Sequence, residues 1–237
     1  MHSTSEATTH RELRRDAQAN RERILRAAND VFAEDGLGAS VEEIARRAGV
    51  GMGTLYRRFP HKTALIDAIF ESHLDEDARI AEQALGDPDA WEGFSSFLEQ
   101  AVSLQAGNRG FAEIVAVHLR DENLVSKARA RVTPLLRQLV ERAQDAGVLR
   151  PDIVYEDISV LLWTSGRVVD ATREISPAFW KRQLALALDG LRASNASPLP
   201  EPPLTALQHR SAMERFARQL HLTVAQSRPR SGGKRSR

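Results

Sequence analysis

The chain reads as an all-α protein of about nine helices, a three-helix head followed by a larger helical body, and three observations predict this. Apolar residues recur at three- and four-residue steps through most of its 237 residues. Gly36, Gly49, Gly86, Gly107, Gly147, Pro151 and Pro177 punctuate the periodic segments. No stretch alternates apolar and polar residues with the two-residue period of a half-buried strand.

The first twenty residues are polar and aperiodic, and read as a loose arm with Arg11, Arg14 and Arg15 as its basic part. From Arg21, the positions Ile24, Ala27, Ala28, Val31 and Phe32 make a helix of about four turns that Gly36 stops. Ser40-Val41-Glu42-Glu43 has the form of a capping box: the serine hydroxyl accepts from the third amide and the glutamate reaches back to the cap amide. Val41, Ile44, Ala45 and Ala48 then give a short second helix ending at Gly49. Gly49-Val50-Gly51 is a tight connection, with Val50 set to plug the space between the helices on either side. A third helix runs from Gly53 to Phe59 and ends at Pro60; Leu55 and Phe59 face inward, which leaves Tyr56, Arg57 and Arg58 on its other faces.

A longer helix is expected from Lys62 to about Leu85, roughly 36 Å if continuous, carried by Leu65, Ile66, Ala68, Ile69, Phe70 and Leu74. Beyond Gly86-Asp87-Pro88 the helical period returns over 91–104, 111–118, 123–146, 153–170 and 178–191. Residues 197–203, Ser-Pro-Leu-Pro-Glu-Pro-Pro, form a linker that leans towards polyproline geometry. After it, Leu204, Leu207, Ala212, Met213, Phe216, Leu220 and Leu222 fit one more amphipathic helix, and the basic end from Arg228 to Arg237 reads as disordered. The domain plan is thus an arm (1–20), a head (21–66), a body (67–192) and a C-terminal extension (193–237).

Composition narrows the function. A chain of this length with 42% hydrophobic residues can bury a proper core. It has no cysteine, which removes disulfides, thiolate metal sites and a cysteine nucleophile and fits a reducing compartment. It has neither an apolar run long enough to span a bilayer nor an apolar signal core, so the expectation is a cytoplasmic protein. The net charge of +1 hides an uneven distribution: residues 1–72, 73–192 and 193–237 carry 0, −5 and +6. The stretch from Arg46 to Lys62 holds Arg46, Arg47, Arg57, Arg58 and Lys62 and no acid, a local basic surface of the size that a DNA-reading element needs. The histidines are scattered, with no His-Glu-x-x-His or close carboxylate set, so neither metal nor cofactor is expected. Gly51-Met52-Gly53 follows no strand and makes no dinucleotide site. Asn195-Ala196-Ser197 matches a glycosylation acceptor in form only.

The block from Arg21 to about Leu74 resembles the DNA-binding domain of the tetracycline-repressor (TetR) family. The matching residues are Phe32-Ala33-Glu34-Asp35-Gly36, Ser40 to Ala45, Ala48-Gly49-Val50 and Gly53-Thr54-Leu55-Tyr56-Arg57-Arg58-Phe59-Pro60-His61-Lys62. Beyond Leu74 the similarity is one of architecture, helped by Ala143 to Arg150 and Leu184 to Leu191, which are similar to C-terminal domains of actinobacterial regulators. The resemblance implies that the third helix enters the major groove. Met52, Gly53 and Thr54 would open it, Arg57 and Arg58 would read bases, Tyr56 and Lys62 would hold phosphates, and Ser40 would touch the backbone from its cap. It also implies a palindromic DNA operator, a homodimer through the last two helices of the body (about 153–191), and release by a small-molecule effector.

For that effector the aromatic residues Trp91, Phe94, Phe97, Phe111 and Trp163, with His118 in an apolar run, are candidates to line a pocket, although each also fits plain core. The leading expectation is a ligand-released repressor. The alternative is a DNA-binding protein whose helical body recruits a protein partner, with the segment from Leu204 to Val224 as the feature to test. An enzyme is not expected, since no nucleophile and base pair is evident.

Overall fold

The computed structural model describes the backbone of residues 3–107, 126–127 and 130–227. Among the described residues there are nine α-helices, one 3-10 turn and no strand beyond a single bridge between Leu149 and Arg192. The expected helix over 111–118, the first part of that over 123–146, and the basic end from Arg228 lie outside the described residues. The helix after the Pro-rich linker makes up the nine.

Helix α1 (Ser3–Asp35) starts at Ser3, not at Arg21, so the loose arm is corrected to the first half of a long helix. Between Ser3 and Asp35 there is no glycine or proline, and Ala, Glu, Arg and Gln are good helix formers; absence of an apolar stripe is not absence of helix. Its second half buries Ile24, Ala28, Val31 and Phe32. Helix α2 (Val41–Ala48) follows Ser40, whose hydroxyl accepts from the Glu43 amide at 3.2 Å. Gly49 closes it at φ +64°, a conformation that costs any residue with a Cβ, and its turn sends the Val50 amide back to the Ala45 carbonyl at 3.1 Å. Helix α3 (Met52–Arg58) begins one residue earlier than expected and buries Leu55, with Phe59 buried just past its end. Val50 and Met52 are partly buried against the same cluster.

Helix α4 (Lys62–Leu85) is unbroken and is capped by His61, whose Nδ1 accepts from the Ala64 amide at 3.0 Å. Helix α5 (Ala90–Ala106) is capped by Asp89, which accepts from the Trp91 and Glu92 amides. Gly93 lets α5 lie close on α4, because a Cβ there would stand 2.4 Å from the Ala84 carbonyl oxygen. Helices α6 (Thr133–Asp145), α7 (Tyr155–Thr172) and α8 (Phe179–Leu191) complete the body. Helix α9 (Ala206–Ser227) closes the described chain. Its cap is reciprocal: Thr205 Oγ1 accepts from the Gln208 amide, and Gln208 Oε1 accepts from the Thr205 amide.

Two apolar clusters hold these helices. One joins α1, α2, α3 and the first half of α4, from Ile24 to Leu74. The other joins the second half of α4 to α5, α6, α7 and α8, from Ile80 to Leu188. Helix α4 is therefore the shared spine, and the packing boundary falls between Leu74 and Ile80, beyond the expected residue 66. No breaker and no gap in the apolar stripe marks residue 66. Among the described residues no helix is long and apolar enough to cross a membrane.

Candidate nucleic-acid interface and effector cleft

The head buries one face of α3 and displays the rest. Leu55 and Phe59 point into the cluster of α1 and α2, while Tyr56, Arg57 and Arg58 stand exposed, with Tyr56 at 44%. Arg57 Nη2 donates to Thr54 Oγ1 at 3.2 Å, which draws the guanidinium towards the N-terminal turn of α3. The guanidinium of Arg21 lies 5.6 Å from the ring centroid of Phe59 and ties α1 to the end of α3. A Cβ at Gly51 or Gly53 would meet nothing within 4 Å, so the packing of the chain does not demand glycine there. Ser40 is exposed at the cap of α2.

The basic surface is smaller than the run from Arg46 to Lys62 suggests. Arg46 donates to both Glu43 oxygens at 2.6 and 2.8 Å, and Arg47 donates to Glu43 at 2.9 Å and to Glu34 at 2.7 Å. These two guanidiniums hold the Glu43 carboxyl down at about 2. They also take the carboxylate expected to reach back to the cap amide, so only the serine half of the capping box forms. Lys62 Nζ donates to the Ala39 carbonyl and lies 5.6 Å from the centroid of Phe32, so in the unbound chain its ammonium closes the turn before α2. All four arginines of the motif are exposed, but among the described residues Arg46 and Arg47 are paired with carboxylates, whereas Arg57 and Arg58 are not.

The aromatic pocket candidates do not come together as a lining. Trp91, Phe94 and Phe97 are buried in the body cluster, where Trp91 and Phe94 meet at 5.9 Å and Arg192 covers Trp91 at 4.0 Å. Trp163 faces away from them, with its ring 4.2 Å from that of Phe216 on α9. Large aromatic side chains fill the core because that removes the most apolar area from water, roughly 25 cal/mol per Å². Phe111 and His118 lie outside the described residues.

The structure instead opens a cleft of about 400 Å³ between α1, α4 and α5, lined by Asn29, His73, Glu76, Ile80, Gln100, Ser103, Leu104 and Gly107. His73 Nδ1 stands 2.8 Å from the Ile69 carbonyl oxygen, which can only accept, so Nδ1 carries the hydrogen. Burial lowers the imidazole pKa and keeps the ring neutral at physiological pH. Sequence reading missed this set. The signal was present in Gln100 and Ser103, polar residues one turn apart on α5, and in His73 on the apolar face of α4. Among the described residues no group of three or more His, Asp or Glu is placed to hold a metal ion.

Comparison with known proteins agrees with this geometry. The family described as "Bacterial regulatory proteins, tetR family" matches residues 24–69, and "Transcriptional regulator SbtR-like, C-terminal domain" matches residues 88–193. The HTH-type transcriptional regulator UidR of Escherichia coli strain K12 is 31% identical over 150 residues, covering 60% of this chain and 74% of UidR. A TetR transcription regulatory protein from Mycobacterium vanbaalenii is 34% identical with a TM-score of 0.60, covering 76% of this chain and 99% of that one. FadR from Bacillus subtilis, solved with stearoyl-CoA, shares the fold at 21% identity and a TM-score of 0.53, covering 72% of this chain and 98% of that one. A displayed third helix on a buried helix-turn-helix, backed by a relative that matches across both domains, leads to one conclusion: the chain belongs to the TetR family of DNA-binding bacterial transcription regulators.

Proposed function

We propose that this regulator is a homodimeric repressor that grips a palindromic operator with two copies of α3 and lets go when a small molecule occupies its body. The display of α3 carries the DNA half of this reading: packing uses Leu55 and Phe59 and demands nothing of Thr54, Tyr56, Arg57 and Arg58. Arg57 and Arg58 read base edges, since a guanidinium matches guanine O6 and N7 bidentately. Tyr56, Ser40 and Lys62 hold phosphates, Lys62 by exchanging the Ala39 carbonyl for a phosphate oxygen. Met52 offers only apolar contact, and Gly53 lets the duplex come close. Two heads reading adjacent major grooves must stand about 34–36 Å apart, and α7 and α8 supply the two-fold contact that sets this spacing. Such a protein works in the cytoplasm, beside the chromosome.

The cleft supports the effector half. Its walls belong to α1 of the head, to α4 and to α5 of the body, so an occupant bears on both domains at once. Its lining mixes the amides of Asn29 and Gln100, the hydroxyl of Ser103 and the apolar Ile80 and Leu104, which suits a ligand with hydrogen-bonding groups on an apolar frame. A ligand that fits only one setting of α4 shifts the population of head spacings and with it operator affinity.

Selection of bound sequences from a random duplex library, at a stated and near-physiological salt concentration, tests the operator. Recovery of a palindrome with half-sites about one helical turn apart is expected. Enrichment of single, non-repeated sites would rule out the two-headed grip.

A further inference from the structure

Outside the DNA-reading head, every large hydrophobic side chain that stands exposed among the described residues lies in one of two places. Ile175, Phe179 and Leu186 belong to α8 and its approach; Leu199, Leu204 and Leu207 belong to the segment after α8. Leu207 is 70% exposed, Leu199 47% and Leu204 40%. Isolated exposed leucines are ordinary, but confinement of all of them to α8 and the adjoining segment is not.

The two places are joined by a clasp. Arg150 is buried and donates through Nη1 to the Gly190 carbonyl at the end of α8, and through Nη2 to the Ser197 carbonyl two residues before Leu199. Asp152 fixes that guanidinium through both carboxylate oxygens. The Ala193 amide donates to the Val148 carbonyl at 3.0 Å and holds the turn between them. The chain then reaches α9, which lies along α7. His209 Nε2 is 3.0 Å from Ser159 Oγ, its ring meets Tyr155 edge-on, Phe216 meets Trp163, and Met213 is buried. The extension is thus held on the body at Ala193 and Ser197 and again from His209 to Phe216, with Leu199, Leu204 and Leu207 between left facing solvent. The match to the family's C-terminal domain stops at residue 193, so this is an addition to the shared body.

We propose that the extension widens the two-fold interface: Leu199, Leu204 and Leu207, held in place by Arg150 and by the seat of α9, form with Phe179 and Leu186 one apolar strip that a second copy of this chain covers. The inference rests on the reading of α7 and α8 as the two-fold contact. The observations that select this occupant are that Arg150 fastens Ser197, two residues before Leu199, beside Gly190 at the end of α8, and that regulators of this family act as dimers. A second copy brings the same apolar strip to meet it, as a self-complementary contact requires.

Sedimentation over a concentration series, on the full chain, on L199S/L204S/L207S and on F179S/L186S, tests this. All five positions are exposed, so helical content by circular dichroism should stay at the wild-type level in each variant. The triple variant is expected to dimerise at least ten-fold more weakly than the full chain. Wild-type dimerisation of the triple variant alongside weakened F179S/L186S would overturn the extension's role and leave the α7–α8 contact standing. Wild-type dimerisation of both variants, or a full chain that stays monomeric, would overturn both.

Discussion

Arg57 and Arg58 are neighbours in sequence, yet among the described residues only Arg57 is tied back, by its 3.2 Å bond to Thr54, towards the N-terminal turn of α3, the end that the proposed DNA grip puts into the groove first. A guanidinium held in this way loses little rotamer freedom on meeting a base edge, which favours a specific contact over a roving one. Arg57→Ala is therefore expected to relax the preference at a single base pair, costing roughly 1–3 kcal/mol on the best operator. Competition with singly substituted operators measures this. A loss that is equal on all sequences would make Arg57 a phosphate ligand instead. Arg46 and Arg47 show why residue type alone overstates a basic surface: Glu34, a dozen residues upstream, supplies half of the neutralisation, and only the fold brings it there.

Helix α4 changes character between its two cores. From Leu74 to Ile80 it carries Asp75, Glu76, Asp77 and Arg79; Arg131 pairs with Asp75 in this waist, and Lys127 pairs with Glu71 just before it. Asp77 keeps partial solvent contact, but protein atoms crowd its carboxyl; that burial, with the charge of Glu76 beside it, pushes the Asp77 carboxyl up to about 7 from an ordinary 3.8. The folded chain then keeps a proton that the unfolded chain gives up, so stability falls as pH rises from about 4 to about 7 and the full penalty applies above. Asp77→Asn is expected to stabilise the protein by on the order of 1–2 kcal/mol at pH 8 and to flatten the decline between pH 4 and 7. Thermal unfolding across that range decides; a wild-type slope in the variant would place the titration elsewhere. The head was legible in sequence because caps, glycines and the inward pair Leu55 and Phe59 are local signals. The first half of α1 and the boundary inside α4 were not, since a polar helix without breakers has no stripe to read. The reciprocal cap at Thr205 and Gln208 was a local signal for α9, but its seat on Trp163 depends on where α7 lies.

Over the whole molecule, the cleft is where head and body share walls, and this separates it from the buried aromatic core. Trp91, Phe94 and Phe97 hold the body together, so replacing them would test stability before it tested ligand response. Ser103 is different: it lines the cleft on α5, one turn from Gln100, and faces the wall that Asn29 contributes from α1. Ser103→Trp places a large ring in the cleft proposed for the effector while leaving α3 and the body cluster in place. Operator affinity at fixed salt is expected to stay within about three-fold of wild type, roughly 0.6 kcal/mol, because the head's own contacts are untouched. A compound that lifts the wild-type protein off its operator, found by screening on that operator, is expected to need at least a hundred-fold higher concentration with the variant. Since a ligand shifts an equilibrium only by its difference in affinity for the two settings, loss of binding and loss of release must go together. Direct titration of the same compound reads the first, and operator release reads the second. Release of Ser103→Trp at wild-type concentrations would move the effector out of this cleft, and binding without release would show that the cleft is occupied but does not set the spacing of the heads.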